Sequence, residues 1–159
     1  MDLLDRLLGH DDWATAQLLE SSRGLTDAQL DREFAIGHRT LRATFAHTIF
    51  NVEAWTALMA GHPVEAPRDD RTLAALIERH ESSYAAFAAL ARRMRDERRL
   101  DDTFVDHFAM PRSFGGAIVH VVLHNAEHRT EALHIIERLG VPELPEVDHG
   151  LWDIEVRSA

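Results

Sequence analysis

Residues 115–139 read GGAIVHVVLHNAEHRTEALHIIERL, and this stretch decides the fold. Its apolar residues recur every three or four positions, which is the spacing of one face of an α-helix. No proline interrupts the stretch, and Gly140-Val141-Pro142 follows it as a stop signal. We therefore predict a long helix with one buried face, formed by Ile118, Val121, Val122, Ala132, Ile135, Ile136 and Leu139.

Three earlier segments of the chain show the same helical spacing. They predict long helices at about 2–23, 40–60 and 71–98, the first ended by Gly24 and the second by Gly61-His62-Pro63. Four such helices, each about 30 Å long at about 1.5 Å per residue, favour an all-α four-helix bundle. A chain of 159 residues suits one domain, so we expect residues 1–159 to form a single bundle domain.

The remaining segments lack this spacing and predict connections: a short helical turn at 25–30, a loop at 34–39, a proline-containing linker at 61–70 and an irregular segment at 100–114. Thr26 is a candidate N-cap for the short turn. The tail at 143–159 has few apolar residues. We expect Leu151, Trp152 and Ile154 to hold it against the bundle.

The composition excludes several classes of function. The chain has no cysteine, which excludes disulfides, thiolate ligands and a cysteine nucleophile. Its formal net charge of −10 opposes nucleic-acid binding, because phosphate contacts need a basic surface. No apolar run approaches the roughly 20 residues of a membrane span, and the acidic first residues do not resemble a secretory signal. We expect a cytoplasmic protein with no nucleic-acid or membrane partner.

Eleven histidines are an unusually large number for this length, and three of them, His120, His124 and His128, follow one another at four-residue spacing in the fourth predicted helix. At about 100° per residue, His128 lies within the apolar face and His124 at its edge. His120 lies on the polar side, beside Glu127 and Glu131. Since two imidazoles one turn apart can bind one metal ion from a single helix, His124 and His128 are candidate ligands and His120 is not.

His47 is the candidate for a third ligand, because it lies among apolar residues in the middle of the second long helix. Burying three imidazoles without partners would be costly, and one metal ion would satisfy all of them. Imidazole donors without thiolates favour Zn²⁺ or Ni²⁺ over Fe²⁺ or Mn²⁺. The alternative is a metal-free core in which the three histidines hydrogen-bond to one another.

Asp11 falls at the centre of the apolar stripe of the first helix. It is either a hydrogen-bonded structural carboxylate or a functional one, which would orient a ligand imidazole or act as a general base. Arg129 also points inward, and we expect a structural ion pair with Asp11 or Glu53.

Two stretches carry a family resemblance. Leu41-Arg-Ala-Thr-Phe-Ala-His47, preceded by Phe34-Ala-Ile-Gly37 and followed by Glu53-Ala-Trp55, resembles the second-helix signature of the DinB/YfiT-like superfamily. His120-Val-Val-Leu-His124-Asn-Ala-Glu-His128-Arg129 is similar to its fourth-helix signature, and Leu144-Pro-Glu-Val-Asp148 with Trp152 to its closing segment. Thr130-Glu131 stands where the family often has Gly-Gln.

The resemblance implies a four-helix bundle with one histidine of the second helix and two of the fourth on a divalent metal. Residue by residue, these are His47, His124 and His128. Members are commonly dimers that bind zinc or nickel, and some resemble transferases that use low-molecular-weight thiols. The apolar character of the second helix on nearly every side also favours a homodimer.

The expected function follows from the number of ligands. Three protein ligands leave an open position, as in catalytic zinc sites. We expect a metal-dependent hydrolase or a thiol-dependent transferase acting on a small molecule, with a low-molecular-weight thiol as a possible cofactor. The alternative is a non-catalytic, metal-stabilised module, related to stress, that binds a partner or a small ligand.

Overall fold

The chain is almost entirely helical in a computed structural model that describes residues 1–158. In chain order the elements are α1 (Leu3–Ser21), α2 (Asp27–Leu30), α3 (Leu41–Met59), α4 (Leu73–Asp96), β1 (Thr103–Val105), β2 (Pro111–Ser113), α5 (Phe114–Arg138) and α6 (His149–Ser158). The all-α prediction is confirmed. Two short helices and one hairpin accompany the four long helices that the spacing predicted.

Short polar side chains begin the helices, as their sequences require. Asp2 and Thr26 form capping boxes at α1 and α2. In each box the cap side chain accepts a hydrogen bond from the amide of the third helical residue, and the side chain of that residue accepts one from the amide of the cap. Thr40, Thr72 and Ser113 accept the corresponding amide hydrogen bonds at α3, α4 and α5. The prediction that Thr26 is an N-cap is confirmed.

The long helices pack so that α3 lies against α4 and α5, and α1 lies against the same two helices. Their apolar faces meet in two core clusters. One contains Leu8, Val52, Phe87 and Val121, and the other contains Leu18, Ile49, Leu76 and Ile135. Along α1 and α5 the polar residues Asp11, Asn125 and Arg129 lie between the two clusters and are buried.

The hairpin corrects the prediction that residues 100–114 are irregular. β1 and β2 are antiparallel, with Phe104 opposite Arg112. The carboxylate of Asp106 holds the turn, because it accepts hydrogen bonds from the amides of Phe108 and Met110 and from the guanidinium of Arg112. Strands of three residues are too short to show an alternating pattern, so the sequence carries no periodic signal for the hairpin.

The tail is held by one of the three residues expected to hold it. Trp152 on α6 is buried, Leu151 is half-buried and Ile154 is 65% exposed, so the expectation for Ile154 was wrong. Trp152 packs directly on the backbone of α1 at Gly9, where a Cβ atom would lie 2.5 Å from the indole. Within residues 1–158, no helix is both long and apolar enough to cross a membrane.

Candidate metal centre

The three predicted ligands meet where α3 packs against α5. The Nε2 atom of His124 lies 3.2 Å from Nε2 of His47 and 3.2 Å from Nε2 of His128. All three rings are half-buried. The structure therefore brings together the residues that helix spacing selected, and metal ligation by this set of three stays a prediction.

These two nitrogen–nitrogen distances are compatible with a bound metal ion as well as with a hydrogen-bonded core. Nitrogens bound at about 2.05 Å to a tetrahedral zinc ion lie about 3.3 Å apart, close to the distances found. One proton between the rings can satisfy only two of the three Nε2 atoms, because each hydrogen bond needs one donor and one lone pair. A cation accepts the lone pairs of all three.

His38 brings a fourth imidazole to the same place. Its ring centroid is 3.9 Å from that of His47 and 5.0 Å from that of His128. His38, His47 and His128 can present nitrogens within 4.8 Å of one another, and this group, which does not include the predicted ligand His124, is compatible with metal binding. We call His38, His47, His124 and His128 the histidine cluster.

Sequence reasoning assigned no role to His38, because it lies in a loop where helical spacing carries no information. The loop is tight: the Phe34 amide donates to the Arg39 carbonyl, and Gly37 and Arg39 both have positive φ, at 42° and 71°. The only signal in the sequence was the glycine directly before His38, which is typical of a turn.

Burial lowers the pKa of three imidazoles of the cluster, those of His38, His47 and His124. It lowers the pKa of His47 and of His124 to about 4, and the neighbouring imidazoles lower both values further. At neutral pH these rings therefore have the free lone pair that a metal ligand needs.

Glu131 fixes the orientation of one ligand ring. The Nδ1–H group of His128 donates to Oε2 of Glu131 at 2.7 Å, so the Nε2 lone pair of His128 points at the cluster. The Nδ1 atom of His124 is buried and has no hydrogen-bond partner within residues 1–158. Sequence reasoning placed Glu131 on the polar side of the helix and missed this role, although it lies three residues after His128.

Asp11 is bound into a separate polar layer formed by Asp11, Tyr84, Asn125 and Arg129. Its Oδ2 atom accepts hydrogen bonds from the Tyr84 hydroxyl and the Asn125 amide, each at 2.8 Å. Its other oxygen pairs with the Arg129 guanidinium, one of the two partners that the sequence suggested. Among the described residues Asp11 makes no hydrogen bond to a histidine ring, so its role as a base or in orienting an imidazole stays a prediction.

The other residues near the site also have defined places. Glu53, the alternative partner for Arg129, is instead paired with Arg79. His120 is exposed, with its ring centroid 5.0 Å from that of Trp55. This position agrees with its exclusion from the ligand set.

Comparison with protein families identifies the chain. A model of the DinB superfamily matches residues 10–132, a range that includes the whole histidine cluster. The chain belongs to the DinB superfamily. The resemblance seen in the second-helix and fourth-helix signatures is thereby confirmed. Searches of curated proteins and of solved structures gave no match for this DinB-superfamily chain.

Proposed function

We propose that this DinB-superfamily chain binds one divalent metal ion through His47, His124 and His128. We further propose that it is a metal-dependent hydrolase or a transferase that uses a low-molecular-weight thiol. The observation that carries the proposal is that Nε2 of His124 lies 3.2 Å from Nε2 of His47 on the facing helix and 3.2 Å from Nε2 of His128. Zinc or nickel suits an all-imidazole donor set.

The chemistry of such a centre is that of a Lewis acid, which lowers the pKa of a water or thiol that reaches the site. The chain itself holds the ligand imidazoles in the protonation state that metal binding needs. Burial holds His47 and His124 neutral, and Glu131 keeps the His128 proton on Nδ1. Since the chain has no cysteine, any thiol must arrive with a second substrate.

A cavity of about 230 Å³ beside the cluster supports a catalytic role, because a substrate needs room next to the ligands. Its wall includes His38 and His47. The polar layer supports the same view, because both oxygens of Asp11 are engaged by Tyr84 and Arg129, which favours an open fourth position on the metal.

One observation favours the second candidate, a non-catalytic metal-stabilised module. His38 can present a nitrogen within 4.8 Å of those of His47 and His128, and four protein ligands are typical of structural zinc sites. Substitution of His38 separates the two candidates. In the enzyme, His38→Ala retains the metal; in the module, the same change weakens metal binding as strongly as loss of any other ligand.

The experiment is elemental analysis after loading with zinc or nickel. We expect about one ion per chain in the wild type and in His120→Ala, and loss of the ion in His47→Ala, His124→Ala and His128→Ala. Loaded protein is then assayed with low-molecular-weight thiols and electrophilic acceptors, and with ester and amide substrates. Metal retained in all three ligand variants contradicts the site, and activity that survives metal removal contradicts catalysis there.

A further inference from the structure

A group of arginines lies in the wall of a cavity that also contacts the histidine cluster. The cavity of about 230 Å³ that contacts His38 and His47 is also lined by Arg68, Arg71 and Arg79. We call it the arginine pocket. Arg68 and Arg71 come from the linker between α3 and α4, and Arg79 comes from α4. No carboxylate lines this pocket, although the chain as a whole has a net charge of −10.

The arginines of the pocket differ in what they already bind. Arg79 is buried and holds Glu53 through two hydrogen bonds, of 2.8 and 3.2 Å. Arg68 and Arg71 have no carboxylate within 4.0 Å in the part of the chain that the structure describes, whereas most arginines there are paired. Two guanidinium groups are therefore available at the edge of a cavity that reaches the histidine cluster.

A larger cavity of about 380 Å³ adjoins the arginine pocket, and the two share Phe50 and Arg68. Its wall combines small apolar residues, such as Ala54, Ala57 and Val64, with polar ones that include the carboxylates of Glu53 and Glu65. Arg68 thus lines both this larger cavity and the pocket that contacts His38 and His47. Together the two spaces have the size of ordinary small-molecule sites, which span about 300–1,000 Å³.

We propose that Arg68 and Arg71 bind the anionic group, a carboxylate or a phosphate, of a small and partly apolar substrate. The proposal rests on the proposed function, because it places the reacting part of that substrate at the histidine cluster. Arginine suits the task because its planar donors match the two oxygens of a carboxylate or phosphate. The arginines attract anions against the negative field of the whole chain.

The test measures binding rather than activity, on the whole chain without metal and again loaded with zinc. Hexanoate, its neutral counterpart hexanamide and inorganic phosphate are titrated at pH 7.5 and low salt, with chemical-shift changes as the readout. The variant is Arg68→Gln/Arg71→Gln. The matched control is Arg93→Gln/Arg138→Gln, which removes two exposed arginines that are likewise unpaired among residues 1–158.

We expect hexanoate or phosphate to bind the metal-free chain, and to bind at least about tenfold more weakly after loss of Arg68 and Arg71, the order expected for lost charge-assisted hydrogen bonds. The control variant should bind as the wild type does. Preference for hexanoate identifies a carboxylate ligand, and preference for phosphate a phosphorylated one. Absence of anion binding, equal loss in the control variant, or equal binding of hexanamide overturns the proposal.

The same measurements separate this inference from the proposed function. Anion binding that depends on Arg68 and Arg71 in metal-free protein stands even if elemental analysis finds no metal. Conversely, if the chain holds its metal but shows no arginine-dependent anion binding, the proposed metal centre stands and the proposed anionic substrate is contradicted.

Discussion

The carboxylate of Glu131 holds the imidazole of His128 through a 2.7 Å hydrogen bond across one turn of α5. This contact keeps the proton on Nδ1 and leaves Nε2, which faces His124, free to bind a cation. It also sets the ring in one orientation. The effect of Glu131 on metal affinity is therefore open to direct measurement.

We expect Glu131→Ala to weaken zinc binding about 10- to 100-fold, the usual effect of removing a group that orients a metal ligand. Glu131→Gln should stay close to wild type, because its amide oxygen can still accept the Nδ1 hydrogen bond. Competition with a chelator measures both affinities. The control is Glu127→Ala, an exposed residue on the same helix. Equal affinity of the Glu131→Ala and Glu127→Ala variants would show that the contact does not act on the site.

Gly37 gives Glu131 the space that it occupies. A Cβ atom at Gly37 would lie 2.0 Å from Oε2 of Glu131, and the residue has a φ of 42°. We expect Gly37→Ala to lower both the melting temperature and the zinc affinity. The control is Gly61→Ala, where φ is 73° but nothing lies within 4 Å. It should cost only the left-handed backbone strain, about 1–2 kcal/mol, and leave zinc affinity unchanged.

The long helices were predictable because their apolar spacing and their stop signals agree. The ends of α3 and α5 lie within one residue of the predicted positions, since Thr40 caps the first and Gly140 follows the second. The hairpin at 103–113 was not predictable in this way. Asp106 holds the turn through side-chain contacts, and no periodic pattern in the sequence predicts such contacts.

The candidate site likewise contains residues that the sequence predicted and one that it did not. His47, His124 and His128 lie on helices, so their directions follow from helical geometry. His38 lies in a loop whose path depends on the backbone angles of Gly37 and Arg39, which the sequence does not specify. The hydroxyl of Tyr84 was not foreseen as a partner of Asp11, because its ring fits an apolar core position equally well.

Asp11 offers a test of the polar layer. Asp11→Asn leaves the guanidinium of Arg129 buried without a counter-charge, and such a loss costs about 3–5 kcal/mol. We expect that loss in urea unfolding, with zinc content unchanged in the folded variant. Asp12→Asn, at an exposed neighbouring position, is the control. Loss of zinc from folded protein would instead assign Asp11 to the histidines, and loss of activity alone would support a general base.

The proposed homodimer needs a surface that the single chain leaves open. On α3, from which the dimer was argued, every residue is buried or half-buried by the rest of the chain. Large apolar side chains remain exposed elsewhere, including Val119 and Leu123 on α5 and Phe108 in the hairpin turn. We expect sedimentation at micromolar concentration to give the mass of two chains, 18.0 kDa each. A single-chain mass under these conditions would contradict the proposal.

The histidine cluster also predicts how stability depends on pH in metal-free protein. The pKa of His47 and of His124 is about 4 in the folded chain, against 6.5 for an ordinary imidazole, so the unfolded chain takes up protons first as the pH falls. The free energy of unfolding is therefore unaffected by the titration of these two histidines above about pH 6.5, and it falls progressively as the pH is lowered towards 4. Urea unfolding of chelator-treated protein measures this loss at about pH 7.5, 5.5 and 4.5, which span the range between the two pKa values.

Carboxylates titrate in the same range, so a matched pair of variants isolates the contribution of the cluster. His47→Gln/His124→Gln removes both imidazoles and should show a smaller loss of stability between about pH 6.5 and 4.5 than wild type. His107→Gln/His134→Gln removes two exposed imidazoles and should keep the wild-type dependence. Identical pH profiles for the two double variants would show that burial of the cluster does not oppose its protonation, and would remove the argument that these rings are held ready for a metal.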